Sequence, residues 1–168
     1  GVRLVGSEMC IRDRPRPITP FNLDNLLKTK ARDLGLVIKG LETSEEHFQV
    51  LDNFSIPEQI AFLKKVLSKS FEQKEKDYEQ LMAAYLSQDL NKIINVNEDI
   101  TSQLLSKSMW IKVKKEILIN RNKIFFNRAH KLAKNNRLFI AVGASHLAGN
   151  NGLLKQFELE GYKLNALR

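Results

Sequence analysis

Two stretches of the chain, residues 57–87 and 110–135, carry apolar side chains at helical spacing over lengths that strands do not reach. The first is introduced by Ser55 and Glu58 at capping-box spacing, with Pro57 in its opening turn, and its stripe runs through Ile60, Leu63, Leu67, Phe71, Tyr78, Leu81 and Met82. The second has Trp110, Val113, Ile117, Ile124, Phe125 and Leu132 on one face. A chain with two such stretches is expected to form a long helical hairpin. Shorter helices are expected over 23–34, where Asn22 caps and Gly35 stops the helix, and over 89–97, 99–106 and 152–160.

The remaining apolar segments are too short for helices. Residues 36–41 (LVIKGL), 137–142 (RLFIAV) and 162–167 read as buried strands, and Thr43 with Glu46 forms a capping box directly after the first. The pattern predicts an α/β fold, with α+β as the variant: a small sheet, flanking helices and the hairpin.

Composition narrows the functional classes. Cys10 is the only cysteine, so neither an intramolecular disulfide nor a thiolate metal site can form. No apolar run approaches the ~20 residues of a membrane span. The formal charge of +8 makes nucleic acid the first partner to consider. Yet no nucleic-acid motif is present and the basic residues are not interleaved with aromatics, so no nucleic-acid partner is expected. Residues 1–14 (GVRLVGSEMCIRDR) show neither helical nor strand periodicity and resemble translated sequencing adapter, which leaves 15–168 as the natural portion; the alternative is a disordered natural leader. Removing three arginines and two acids with that leader lowers the charge only to +7.

Three positions stand out chemically. His146, in Gly143-Ala144-Ser145-His146, follows a predicted strand and precedes a helix, where open α/β sheets bind ligands. Gly143, Gly149 and Gly152 give that loop backbone freedom. The loop is neither a phosphate loop nor a nucleophile elbow, and the alternative is a histidine that merely caps the helix. Arg121 lies within the apolar stripe, between Ile117 and Phe125, and a guanidinium there needs a carboxylate or an anionic ligand. Arg128 shares that face and is expected to snorkel to the rim. Glu42 ends the first apolar segment, where it can be a metal ligand, a base, the counter-ion of Arg121 or an acid favoured by the helix dipole. His47 and His130 read as surface residues. One histidine and one carboxylate do not complete a metal site.

The segment FIAVGASHLAGNNGLLKQFELEGYKLNAL resembles the C-terminal signature of the TraB/PrgY/GumN family, the Tiki-like superfamily. Upstream, INRNKIFFNRAHKL is similar to its Arg-Asn helix, GLETSEEHFQVLDNFSIPEQIAFL to its Gly-Leu-Glu-Thr segment, and AYLSQDLNKI to its Tyr-x-x-x-Asp-Leu stretch. The likeness runs from about Phe21 to Leu167. It implies a bacterial hydrolase dependent on a divalent metal of the Mn or Co type, with a two-part active site and a peptide or small-molecule substrate. The second G-x-x-H falls on Gly143 and His146, the family's glutamate on Glu42, and its Arg-Asn pair on Arg121 and Asn122. In that scheme His146 and Glu42 are metal ligands or proton-transfer groups, and Arg121 steadies an oxyanion or orients Glu42. The first G-x-x-H is absent, so the chain is expected to be a C-terminal portion that is inactive alone. The resemblance also implies an extracytoplasmic location, with membrane association through a missing N-terminal segment. His47 stands where relatives often carry Gln. PrgY-like relatives suggest the alternative, a non-catalytic module that captures peptide pheromones.

Overall fold

Side-chain capping sets most helix starts. In the computed structural model, which describes residues 23–167, the helices are α1 (Leu23–Asp33), α2 (Ser44–Asp52), α3 (Ile56–Ser68), α4 (Phe71–Leu86), α5 (Leu90–Ser102), α6 (Lys107–Lys114), α7 (Arg121–Ala133) and α8 (Leu153–Leu159). Complete capping boxes start α2 (Thr43 with Glu46), α3 (Ser55 with Glu58) and α4 (Ser70 with Gln73). Asp89 and Ser106 cap α5 and α6. The expected cap Asn22 and the leader 1–14 lie outside the described residues.

The chain divides into two units, Gly1–Lys39 and Gly40–Arg168. In the first, α1 ends on Gly35, whose φ of +65° lets Leu36 N donate to Ala31 O. Glu42, Arg121, Asn122 and His146 all belong to the second unit. There α4 packs on α5, α5 on the turn Ala144–His146, and α7 on α8. The core is Phe125, Phe126 and Leu153, with Leu41, Val142 and Phe157 against it. It therefore lies directly beneath the segments that carry Glu42 and His146.

The α/β expectation, α+β included, is overturned: the described residues are 68% helical and contain no strand. A strand exists only through its ladder. Beyond the turns that close the preceding helices, residues 36–41, 137–142 and 162–167 make no main-chain hydrogen bond to another described segment. Apolar strand-like residues stay in solvent instead; Val37 is 84% and Phe139 80% exposed. The hairpin is also corrected. Ser70 and Gln73 break the first long stretch after Ser68, because a capping box ends one helix and starts the next. The pieces expected at 89–97 and 99–106 are one helix, α5, which closes at Ser102 ahead of α6. The second long stretch does run on as one rod, but with a π-helical turn, Lys115–Asn120, between α6 and α7.

Candidate functional site

The π-turn matters because it changes the facing of α7. Each residue of a wider turn rotates less about the axis, so α7 starts on a different bearing from α6. Arg121 and Asn122 are its first two residues. Both are largely enclosed, and each meets a partner from far along the chain.

Arg121 forms a bidentate pair with Glu42. Its Nε donates to Oε2 at 3.0 Å and its Nη2 to Oε1 at 2.7 Å. Nη1 reaches back to the carbonyl oxygen of Ile117, inside the π-turn. The side chains are 16% and 19% exposed, so this pair is screened far less than a surface ion pair. His47 Nδ1 approaches the same Oε1 at 3.0 Å. Burial pushes the Glu42 carboxyl up, but the hydrogen bonds and charges of Arg121 and His47 outweigh it and hold the group below the usual range.

Asn122 joins the other half of the site. It is buried, at 3% exposure, with Phe125, Phe126 and Ala129 on the same side of α7. Its Nδ2 donates to Asn151 O at 2.8 Å, which turns Oδ1 toward His146 Nδ1 at 2.6 Å. An amide oxygen only accepts, so His146 Nδ1 must carry the proton, and in the neutral ring Nε2 keeps its lone pair. Burial, helped by the charge of Arg121 and opposed by that of Glu42, lowers the His146 pKa to about 4. The imidazole is therefore neutral at physiological pH. Phe125 links the two pairs: its ring centroid is 5.2 Å from the Arg121 guanidinium and 5.1 Å from the His146 ring.

The His146 loop is shaped by its glycines. Gly149 adopts φ +79°, which side-chain-bearing residues rarely take. At Gly152 a Cβ would lie 2.3 Å from Ala148 O and 2.4 Å from Leu147 O, so only glycine fits. At Gly143 the nearest atom would be His146 Cδ2 at 3.8 Å, and nothing forbids a side chain.

A second arginine acts beside the first. Arg128 reaches the rim, with its side chain 38% exposed, and finds a partner there. It grips Glu46 through two hydrogen bonds of 2.6 Å and donates to Leu41 O at 2.9 Å. Glu46 Oε2 also accepts from Thr43 N, and the hydrogen bonds from Arg128 and then Thr43 bring the carboxyl down to about 2. Arg121 and Arg128, seven residues apart on α7, thus hold both ends of the segment 42–46. His47 is a surface residue, 47% exposed, and from there it contacts Glu42. The surface reading of His130 fails: the ring is half-buried, stacked on Phe126 and bonded to Tyr162 Oη at 3.3 Å.

The metal expected at His146 and Glu42 meets a poor donor set. Both Glu42 oxygens are engaged by Arg121, with His47 also on Oε1, and Nδ1 of His146 is engaged by Asn122. Nε2 of His146 is the only donor of that pair left open. Among the described residues no group of three or more His, Cys, Asp or Glu is placed to hold an ion. These residues do not fit a resident metal by themselves.

A family model described as the TraB/PrgY/gumN family matches residues 5–166, taking in most of the leader segment as well as the site. No curated protein and no solved structure matches the chain.

Proposed function

The chain belongs to the TraB/PrgY/gumN family, and from that premise we propose that it carries the second half of a hydrolase site, with a peptide as substrate. The observation that carries this reading is the 2.6 Å contact between His146 Nδ1 and Asn122 Oδ1. It requires Nδ1–H to donate to the amide oxygen, and burial keeps the ring neutral, so Nε2 is free to accept a proton from an attacking nucleophile. Glu42 stays ionised between Arg121 and His47, and it balances the arginine charge near the histidine. Arg121, with most of its donors already on Glu42 and Ile117, orients that carboxylate.

Gly143–His146 is the only G-x-x-H in the sequence, so the reading places the remaining machinery outside these residues. In this reading Nε2 of His146 is the base, so a divalent ion of the Mn or Co type belongs to the proposal only with ligands from outside these residues. An extracytoplasmic site of action rests on the resemblance. Among the described residues no helix is long and apolar enough to cross a membrane.

The test is hydrolysis of a peptide mixture by the protein encoded by the complete gene, read by mass spectrometry. Mn²⁺ or Co²⁺ should restore cleavage after EDTA treatment, and His146→Ala should abolish it; unchanged cleavage by His146→Ala overturns the assignment. Peptide retained intact by the wild type would instead favour capture without turnover. Residues 15–168 alone should not cleave.

A further inference from the structure

The loop that carries His146 forms one wall of a groove. Val142, Ala144 and Leu147 form that wall; Tyr85 and Leu86 from the end of α4 and Leu90 and Ile93 from the start of α5 form the other. Gln88 closes the turn between the two helices, with φ +58°, and this sharp turn brings both helix ends to one groove. The volume is about 420 Å³, within the range of small ligand clefts.

No charged side chain lines this groove, in a chain of which 27% is charged. Its walls are aliphatic and aromatic, and the polar groups at hand are the Gln88 amide and the Tyr85 hydroxyl. Among the described residues the main chain leading into it is also unpaired: from Arg137 to Val142 no N–H or C=O bonds to another described segment. An extended peptide laid along that edge gains hydrogen bonds that an acyl chain has no groups to make.

We propose that this groove is the specificity subsite of the His146 site and takes a bulky apolar side chain, of leucine or phenylalanine size, from a peptide substrate. The inference rests on the hydrolase reading for its substrate but not for its test, which reads binding alone. Ala144 and Leu147 flank His146 in sequence, so a side chain seated between them and α5 would hold the adjoining peptide backbone beside the imidazole.

The probe is a fluorescein-labelled alanine-rich peptide with one central leucine, compared with the same peptide carrying aspartate, titrated against the whole chain by fluorescence polarisation. The leucine peptide should bind at least about tenfold more tightly. Leu86→Arg and Tyr85→Glu, at positions 70% and 59% exposed and hence compatible with folding, should each remove that preference. Decanoate should compete only weakly. Equal binding of the two peptides, unchanged preference in both variants, no binding at all, or tight binding of decanoate with none of peptide would each overturn the subsite. None of these outcomes touches the cleavage test of His146→Ala, so the two readings fail separately.

Discussion

Asn122 Oδ1 lies 2.6 Å from Nδ1 of His146, and this buried amide decides which imidazole nitrogen faces outward. Because Nδ2 is committed to Asn151 O, the amide cannot flip without placing its NH₂ group against the Nδ1 proton and its oxygen against a carbonyl. Asn122→Leu removes both interactions. It leaves the Nδ1 proton without its partner and the Asn151 carbonyl with only Gln156 Nε2, at 3.1 Å, a loss of about 1–3 kcal/mol in unfolding free energy. Urea denaturation of the two proteins checks this; a loss below about 0.5 kcal/mol, the scale of an ordinary surface substitution, would show that the amide anchors nothing.

The lowered pKa of His146 fixes the direction of its pH dependence. The unfolded chain takes up a proton near the ordinary histidine value, whereas the folded chain holds it off until about 4. Between those values the unfolded state binds more protons, so stability falls as pH drops from about 6.5 to about 4 and is flat above. Glu46, down at about 2, acts in a separate, lower window: its contribution is complete above the ordinary carboxylate range and is lost toward pH 2. Unfolding measured at pH 7.5, 5.5 and 4.5 in wild type and His146→Gln isolates the histidine. The variant should lose the slope in the upper window. An imidazole that titrates by NMR near 6.5 would refute the assignment.

The Glu42–Arg121 pair should respond unequally to removal of its two ends. Arg121→Met leaves Glu42 with His47, while Glu42→Leu leaves a largely enclosed guanidinium with the Ile117 carbonyl and the face of Phe125 but no carboxylate. The loss should be about 3–5 kcal/mol for Glu42→Leu and smaller by about 1 kcal/mol or more for Arg121→Met. A double-mutant cycle should give a coupling of about 1–3 kcal/mol. The His146 titration supplies a readout that folding alone does not move: Arg121→Met should raise its midpoint, and Glu42→Gln should lower it. Equal midpoints in all three proteins would mean that the two pairs do not feel each other.

How far the sequence carried these features depends on the range of the forces involved. Caps are local, and Thr43–Glu46 and Ser55–Glu58 were readable from spacing alone. Arg121 was readable as a buried charge in need of a partner, because its neighbours one turn away are apolar. Glu42 stood among its candidate partners, but the pairing spans 79 positions and no local pattern specifies it. Asn122 came from family likeness only; the signal overlooked was its spacing to Phe125, Phe126 and Ala129, which puts an amide on the buried side of α7. The strands were the misreading. An apolar run reports that burial is favourable, but a strand also needs a neighbour to complete its ladder, and the neighbour is not encoded in the run itself. The π-turn left no mark in the apolar periodicity, since Ile117 and Phe125 keep the stripe continuous across it.

The three glycines of the His146 loop should rank by geometry, not by their place in the motif. Alanine at Gly152 would drive Cβ to 2.3 and 2.4 Å from two backbone oxygens, which no side-chain rotation relieves, so the loop must open; about 3 kcal/mol or more should be lost. At Gly149 the neighbouring space is empty and only the positive φ opposes a side chain, about 1–2 kcal/mol. At Gly143 the added methyl meets nothing closer than 3.8 Å and φ is −59°, so the change should be within about 0.5 kcal/mol of neutral. Thermal and urea unfolding of the three alanine variants gives the order 152, then 149, then 143. The His146 titration should shift in Gly152→Ala, where Leu147 and Ala148 move, and hold in Gly143→Ala. A Gly143→Ala variant as unstable as Gly152→Ala would mean that the glycine of the G-x-x-H motif is needed for a contact outside the described residues rather than for the loop it starts.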